Sequence, residues 1–396
     1  MNICITKVRL TNWEISLGSN TPLVVTTGNL ERIFPSRRGS YLVIEASDEK
    51  KSFRGIGELV EPVFTLPGED PSTILVEARE VLRHGIDMVR GEQIGIEWKT
   101  DIDRLISSAF VRANIDSRMS IRIARFCLEQ SLLTMVADVL GKPLWWVMRM
   151  YLDVPHPSGD LDTNPIVRLN SMFNLRQGDD LDQIPNGVVK LKVGGLLSQP
   201  SADAMKVSYV AERIKEGQSL RLDANQSRSC DDYRTFIEHL SPNVVAKIEY
   251  IEEPFRVACT DELRKCLASC RSSIVVALDE SLLYKDIESI LMEYRNLKVV
   301  NKVFLHGLKD SDQNFLSPTR TTFTCTFESG VGLGFLVSLA YAVNSTQYHG
   351  LHPLQQMMRE CPITRAFFEL IKNDKDGFFV NVNDVESVLR NFSFSI

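Results

Sequence analysis

The 396-residue sequence lacks several features that would each point to a particular class of protein. No apolar run approaches the roughly 18 residues of a membrane-spanning helix, and no apolar segment follows a basic one at the start. Acidic residues outnumber lysine and arginine by 51 to 45, and no basic run is long enough to neutralise several phosphates. We therefore expect a cytoplasmic protein that binds neither a membrane nor nucleic acid.

The sequence also lacks paired cysteines. Its eight cysteines are scattered, and none forms a C-x-x-C pair. Cys259, Cys266 and Cys270 lie close in sequence but have no matching histidines. In a chain of this length such spacing predicts reduced, buried thiols rather than a disulfide framework or a zinc site.

The pattern of apolar residues divides the chain into two parts. Apolar and polar residues alternate up to about residue 60, which predicts antiparallel strands, and a helical period follows from Pro71 to Arg149. A segment rich in proline and glycine, residues 154–159, ends this part. We predict an α+β capping domain over residues 1–158, with residues 361–396 packing back on it.

Residues 159–360 show a different pattern, in which short apolar runs alternate with amphipathic helical stretches. This alternation predicts a parallel sheet, and eight strand–helix units predict closure into a (β/α)8 barrel, a TIM barrel. The eight runs are PIVRLN, VVKLKVG, LRLDAN, IEYIEEP, SIVVALDES, KVVNKVFL, TTFTCTFES and YHGLH.

Charged residues end successive runs, at the edge of a barrel where catalytic groups gather. The residues are Lys190 and Lys192, Asp223, Glu252 and Glu253, Asp279, Lys302, and Glu328 with Ser329. Three acids on neighbouring strands would concentrate negative charge, which a divalent cation relieves. Carboxylate oxygens suit Mg²⁺, with Mn²⁺ as a substitute.

The two lysines of the second run raise a separate question. Lys190 and Lys192 are two residues apart, so a strand directs both to the same side. A neighbouring ammonium and a bound cation make a lysine easier to deprotonate, which suits Lys192 to act as a base with Lys190 as its supporting neighbour.

Simpler interpretations exist for single members of this set. Asp279 precedes a helix and has the position of an N-cap, and a strand lysine usually extends to solvent or belongs to an exposed edge. The ordered series of lysine, three acids and lysine favours one shared site over these separate explanations.

The same residues carry a resemblance to a known family. The order K-x-K, D-A-N, E-E-P, D-E-S and a final strand lysine resembles the enolase superfamily in its muconate-lactonizing branch. RLDAN, FESGVGLGF, HGL and the N-terminal GIGELVEP resemble segments of the o-succinylbenzoate synthase family within that branch. The resemblance implies that Asp223, Glu252 and Asp279 hold the metal, that Lys192 and Lys302 are the catalytic pair, and that Glu253 supports the ligands.

The resemblance also implies a reaction on a small carboxylate substrate. A proton α to the carboxylate is removed and water is eliminated from the same face, giving o-succinylbenzoate in menaquinone biosynthesis. Two relatives with the same residues, N-succinylamino acid racemase and muconate cycloisomerase, remain alternatives, as does a non-catalytic metabolite-binding barrel. A histidine ending the seventh strand and an Asp-x-Asp pair on the last strand are both absent, which disfavours mandelate racemase and dipeptide epimerase chemistry.

Further contacts are expected around this core. Arg221 shares a strand face with Asp223 and is expected to orient the lysine or contact the substrate, while Ser329 and Asn225 are expected to bind the substrate. The loop over residues 24–38 is expected to close over the barrel and exclude water. Arg37 and Arg38 are expected to be solvated, with contact to the succinyl end of the substrate as the alternative.

Two positions depart from the family pattern. Val303 replaces a proline after Lys302, and His352-Pro353 replaces a glycine-rich turn. The sequence leaves the oligomeric state open.

Overall fold

The structure of the protein is a computed structural model. It describes residues 2–17, 22–27, 30–65, 68–110, 118–155, 165–173, 184–195, 198–269, 273–308, 316, 319–344 and 346–395.

The N-terminal part, here called the cap, is an antiparallel sheet covered by helices. The sheet has the order β5-β4-β1-β6, and β2 pairs with β3 in a separate hairpin. These elements confirm the predicted change from strands to helices near residue 60. In chain order they are β1 (Ile3–Ser16), β2 (Leu23–Thr27), β3 (Leu30–Phe34), β4 (Ser36–Ser47), β5 (Ser52–Val60), α1 (Pro71–Val89), β6 (Gln93–Ile94), α2 (Trp98–Phe110), α3 (Arg118–Leu140) and α4 (Leu144–Tyr151).

Two glycines let α3 pack directly on β5. A Cβ atom at Gly55 would lie 1.9 Å from the carbonyl oxygen of Ser131, and one at Gly57 would lie 2.2 Å from that of Cys127. No side chain fits at those separations, so the glycines of the GIGELVEP segment permit the close helix–strand contact. The contact fixes the strand that carries Glu58.

The second part alternates strands with helices and forms the predicted barrel. Seven parallel strands follow the order β14-β13-β12-β11-β10-β9-β8. The elements are β7 (Ile166–Leu169), β8 (Ser171–Phe173), β9 (Val188–Lys192), α5 (Pro200–Ala211), β10 (Ser219–Asp223), α6 (Cys230–Glu238), α7 (Pro242–Val245), β11 (Ile248–Glu252), α8 (Thr260–Ser269), β12 (Val276–Leu278), α9 (Ile287–Glu293), β13 (Lys298–Asn301), α10 (Val303–His306), β14 (Thr321–Phe323), α11 (Gly330–Asn344) and β15 (Tyr348–His349).

The ring closes through β7 and β15. These two strands pair in parallel, with His349 opposite Leu169. The amide of Gly350 donates to the carbonyl of Phe323 at 2.8 Å, which joins β15 to β14. Since β8 follows β7 after one residue and pairs with β9, the eight predicted runs all lie in the barrel.

The C-terminal elements contact both parts. They are α12 (Pro362–Glu369), β16 (Lys372–Asp374), β17 (Gly377–Asn381) and α13 (Val382–Ser395). Strand β17 pairs antiparallel with β7, while α13 contacts β5 and α11. The division into residues 1–158 with 361–396, and 159–360, stays a prediction, because residues 156–159 of the proposed boundary lie outside the described residues.

Two expectations about local structure are wrong. Cys230 and Cys266 form a disulfide between α6 and α8, with Cα atoms 5.8 Å apart, although the spacing predicted reduced thiols. The segment predicted as a loop over residues 24–38 is instead the β2–β3 hairpin followed by the start of β4. The disulfide joins segments 36 residues apart, which local spacing does not reveal, whereas the hairpin pairs two neighbouring segments of the chain.

Within the described ranges, no helix combines the length and the apolar character needed to cross a membrane.

Candidate active site

The charged strand ends lie side by side at one edge of the barrel. Lys192 of β9 is opposite Asp223 of β10, and Asp223 is opposite Glu252 of β11. Glu252 is opposite Ala277 of β12, and Asp279 follows two residues later. The parallel register therefore places a lysine and two acids in one row, with the third acid just beyond it.

Lys190 and Lys192 point to the same place, as their spacing predicted. Both amines contact Oδ2 of Asp223, from 2.8 Å and 2.5 Å respectively. Lys190 also bonds both oxygens of Glu252, at 2.8 and 2.7 Å, and Lys192 donates to Oδ1 of Asn225 at 3.1 Å. The Lys192 side chain is 38% exposed and that of Lys190 13%, so Lys192 is the more accessible amine.

The pKa shifts in this group follow its ion pairs. Burial alone would lower the pKa of Lys190, but Asp223 and Glu252 together raise it well above its ordinary value. Burial would raise the pKa of Asp223, yet the two lysines hold it below its usual range. Lys190 is therefore a charged partner of two carboxylates in this structure.

Lys302 lies on the other side of the acids, at the end of β13. Its amine contacts Oδ2 of Asp279 and lies 3.3 Å from Oε1 of Glu280, and the side chain is 4% exposed. Burial alone would lower the pKa of Lys302, but Asp279, Glu280 and Glu252 raise it. Glu280, directly after Asp279, was not selected from the sequence, although its place in the D-E-S segment indicated it.

Asp279 stands at an N-cap position, as the sequence indicated, but its side chain serves another purpose. It precedes a 3₁₀ helix, Glu280–Leu283, but its side chain makes no capping hydrogen bond. Burial, followed by the charge of Glu280, raises the pKa of Asp279 well above its ordinary value, while Lys302 opposes this effect. The carboxylate is thus buried among other acids, which the N-cap interpretation does not explain.

Glu253 holds the turn that carries Asp279. Its Oε1 accepts from the amides of Asp279 and Ser281, at 2.6 and 2.8 Å. Its Oε2 accepts from the Ser281 hydroxyl at 2.6 Å and from Gln226 at 3.1 Å. Burial and the charge of Glu280 raise the pKa of Glu253 to about 7, against these hydrogen bonds. This is the arrangement that a supporting residue needs.

Backbone strain concentrates at the same strand ends. Asn225, Gln226 and Glu253 have φ angles of 45°, 56° and 45°, in the left-handed region that non-glycine residues seldom adopt. Each such residue costs about 1–3 kcal/mol, and strain of this kind collects where side chains must be aimed.

Arg221 and Ser329 are buried and engaged with protein groups. Arg221 donates to Glu249 at 2.6 Å and to the carbonyl of Tyr348 at 2.7 Å, so it joins β10 to β15. The Ser329 hydroxyl donates to Glu58 at 2.9 Å and accepts from Tyr41 at 3.0 Å. Their proposed roles toward a lysine or a substrate stay predictions.

The cap reaches the barrel through Arg37, which is wrongly predicted as solvated. Its side chain is fully buried, and it donates to the carbonyls of Glu61 and Thr326, at 2.8 and 3.1 Å. Burial lowers the pKa of Arg37 to about 10. Arg38, one residue later, is 39% exposed and pairs with Glu61.

A second cap residue, Phe64, was not selected from the sequence. The centre of its ring lies 4.1 Å from Nζ of Lys302, which makes it the aromatic neighbour of that amine. No motif indicated it, because it follows the GIGELVEP segment in a stretch without a regular period.

The two departures from the family pattern lie at the same end of the barrel. Val303 is buried at the start of α10, directly after Lys302. The His352 ring packs on Phe378 with centroids 5.5 Å apart, and burial lowers the pKa of His352 to about 4. The His352 carbonyl accepts a hydrogen bond of 3.3 Å from the Cys325 thiol.

The acids fit a magnesium ion by their chemistry. Asp223, Glu252 and Asp279 offer only oxygen atoms, the ligands that Mg²⁺ prefers, and all three are nearly inaccessible to solvent. In the part of the chain that the structure describes, no three acidic, histidine or cysteine side chains already converge as metal ligands. Lys190 lies between Asp223 and Glu252, and Lys302 binds Asp279, so the amines balance the acids here.

Comparisons of the sequence agree with the geometry. Residues 183–300 match a family described as "Enolase C-terminal domain-like". An o-succinylbenzoate synthase of Aliivibrio fischeri (strain MJ11) is 32% identical over 132 residues, 33% of this chain and 35% of that protein. One from Vibrio cholerae serotype O1 (strain M66-2) is 27% identical over 172 residues, 41% of this chain and 50% of that protein. The matches thus span about a third to a half of the length of these curated relatives.

Solved structures agree over almost the whole chain. A member of the enolase superfamily from Roseovarius nubinhibens ISM has a TM-score of 0.66 at 16% identity, covering 96% of this chain and 93% of its own. Another from that source, complexed with magnesium, has a TM-score of 0.63 at 15% identity, covering 96% and 93%. A dipeptide epimerase from Cytophaga hutchinsonii, complexed with Mg and a dipeptide, has a TM-score of 0.63 at 19% identity, covering 96% and 95%.

Together, these comparisons identify the fold of the chain. Residues 183–300 match the enolase C-terminal domain-like family, and the whole chain shares the fold of the solved enolase-superfamily structures.

Proposed function

We propose that the protein is an o-succinylbenzoate synthase-like dehydratase, a cytoplasmic carbon–oxygen lyase of menaquinone biosynthesis. The observation that carries this proposal is the placing of Lys192 and Lys302 on opposite sides of Asp223, Glu252 and Asp279. The partial identity to o-succinylbenzoate synthases supports the choice within the superfamily. The substrate is a cyclohexadiene carboxylate with a hydroxyl group and a succinyl chain.

Lys192 is the base in this proposal. Its amine is the more exposed of the two on β9, so a substrate reaches it without displacing Lys190. The neutral amine takes the proton α to the carboxylate, and the C–H electron pair moves into the ring. Lys192, now protonated, returns that proton to the departing hydroxyl on the same face, so water leaves and the amine is neutral again.

Lys302 supports the developing negative charge from the other side. The acids around it raise its pKa, which keeps it a cation at neutral pH. A fixed positive charge in a site with little water stabilises an anion strongly, and it needs no proton transfer to do so. Glu253 keeps the Asp279 turn in place during this step.

Asp223, Glu252 and Asp279 would hold Mg²⁺, or Mn²⁺ in its place. When bound, the ion would supply positive charge to the substrate carboxylate, whose α-proton is otherwise too weakly acidic for an amine to remove. Binding requires the carboxylates to exchange contacts with Lys190, Lys192 and Lys302 for contacts with the ion.

Racemisation of N-succinyl amino acids is the second candidate function. It is favoured by the same pair of opposed lysines, because one amine would remove the proton and the other would return it from the opposite face. Lys302 has a different role in the two reactions, since only the racemase needs Lys302 to exchange a proton with the substrate.

The deciding experiment offers both substrates to the purified full chain with Mg²⁺. Loss of the cyclohexadiene absorbance measures dehydration, and optical rotation with deuterium uptake from D₂O measures racemisation. Dehydration supports the proposal, and its absence beside rapid racemisation overturns it. Lys302→Met is expected to abolish racemisation in a racemase, because no amine then exchanges a proton on the second face, whereas a dehydratase retains proton removal by Lys192 at a reduced rate.

A further inference from the structure

Residues of both the barrel and the cap surround the Lys302 amine. Asp279 and Glu280, on the barrel side, supply the two carboxylates that its amine contacts. The Phe64 ring, from the cap, lies 4.1 Å from the amine. The Lys302 side chain is left only 4% exposed. The ammonium group is thus enclosed by carboxylates and by the face of an aromatic ring, which attracts a cation most strongly where water is excluded.

The residue after Phe64 is held by the β2–β3 hairpin. Arg32, on β3, donates from Nη1 to the Thr65 hydroxyl, and its Nη2 donates to the carbonyl of Glu69 at 3.3 Å. Thr65 donates in turn to that carbonyl at 3.2 Å. Asp70 then caps α1 by accepting from the amide of Thr73 at 2.9 Å. Arg32 of the hairpin therefore holds Thr65, the direct neighbour of Phe64.

We propose that Phe64 is a positioning residue for Lys302, and that Arg32 and Thr65 hold Phe64 in place. The ring covers the side of the amine that Asp279 and Glu280 leave open, so it excludes water and restricts the directions in which Nζ points. A cap residue thereby contributes to the geometry of a barrel lysine. The inference deepens the proposed function, on which the catalytic importance of Lys302 rests, but the packing itself does not depend on the reaction.

The first test needs no substrate. Lysines of the folded full chain are labelled by brief reductive methylation, and the rate at Lys302 is read by peptide mass spectrometry. Phe64→Leu is expected to raise that rate about tenfold, because leucine is smaller and has no ring face, while Phe64→Tyr keeps the wild-type rate. Lys192, which is already exposed, is the internal reference and is expected to keep its rate. An unchanged rate at Lys302 in Phe64→Leu overturns the inference.

The second test uses whichever reaction the full chain catalyses. Phe64→Leu is expected to lower kcat about tenfold with KM changed less than about twofold, because a misdirected amine weakens the transition state more than substrate binding. Phe64→Tyr is expected to restore kcat. An effect on KM alone would make Phe64 a substrate contact and would overturn the positioning role.

The third test addresses the support from the hairpin. Thr65→Val removes the hydroxyl that accepts a hydrogen bond from Arg32. Like Phe64→Leu, it is expected to raise the labelling rate of Lys302 and to lower kcat. The double variant is expected to be no worse than Phe64→Leu alone, because both changes act through one ring. Additive effects would contradict this link. If the chain catalyses neither proposed reaction, the proposed function fails while the labelling results still decide the packing.

Discussion

The guanidinium of Arg37, in cap strand β4, donates a hydrogen bond of 3.1 Å to the carbonyl of Thr326, in the segment after barrel strand β14. It also donates to the carbonyl of Glu61 at 2.8 Å, within the cap. One buried cation thus joins the cap to the strand ends of the barrel. Phe327, the next residue, has a φ of 65°, so the joined segment is held in an unfavourable conformation.

We therefore expect Arg37→Met to destabilise the protein by about 3 kcal/mol, because it leaves two buried carbonyls without a donor and Glu61 with one cation fewer. Urea unfolding of both proteins at the same pH measures the loss. Arg83→Met, an exposed arginine on α1, is the matched control and should change stability by less than about 0.5 kcal/mol. Equal effects of the two variants would show that Arg37 is not an anchor.

A second buried contact makes stability depend on pH. Glu58 accepts from the Ser329 amide at 2.9 Å and from the Gly332 amide at 2.7 Å, but burial raises its pKa from 4.5 to about 7. The nearby charge of Glu328 acts in the same direction as burial. The folded state therefore holds a proton on Glu58 that the unfolded state releases.

The direction in which stability changes with pH follows from the number of protons that each state binds. Between pH 4.5 and 7 the folded state binds more protons than the unfolded state, so this contribution is fully present below 4.5 and falls as the pH rises toward 7. The stability of the wild type relative to Glu58→Gln is expected to drop by about 3 kcal/mol from pH 4 to pH 8. Glu80→Gln, on the exposed face of α1, controls for the loss of one charge. A constant difference between wild type and Glu58→Gln across this range would contradict the prediction.

The strand ends could be predicted from sequence because the relevant rules are local. Alternation along a strand placed Lys190 and Lys192 together, and both amines do contact Asp223. Parallel strands end at one edge, so the sequence order of the runs predicts that Asp223, Glu252 and Asp279 follow one another there, as the strand register shows. The resemblance to a family then supplied candidate roles that local patterns do not contain.

Contacts between distant segments could not be predicted in this way. Alternation along β4 turns Arg37 inward and Arg38 outward, so the two neighbours differ in burial although both are predicted as solvated. Glu58 and Ser329 are 271 residues apart, so only the packing of the cap on the barrel brings them together. The Cys230–Cys266 disulfide depends similarly on the start of α6 approaching α8, whose cysteine lies 36 residues further along the chain.

The role of Lys192 is tested by shortening its side chain to a methyl group. Lys192→Ala is expected to lower kcat at least about 1,000-fold, because general base catalysis of this kind contributes about 10²–10⁴ and no other amine replaces it. Lys206→Ala, on α5 with its side chain 49% exposed, is the control and should retain wild-type kcat. Circular dichroism checks that both variants fold. Full activity of a folded Lys192→Ala protein would remove the basis of the proposed mechanism.

Metal binding is the last prediction, and it has a readout besides turnover. Mg²⁺ is expected to raise the melting temperature of the EDTA-treated protein, because an ion that binds only the folded state stabilises it by mass action. Asp279→Asn is expected to weaken that shift, since it removes one of three carboxylates, whereas Asp286→Asn, an exposed residue before α9, is expected to keep it. EDTA should abolish turnover, and Mg²⁺ or Mn²⁺ should restore it. If Mg²⁺ does not change the melting temperature and the protein turns over substrate in EDTA, the three acids serve only as partners of Lys190, Lys192 and Lys302.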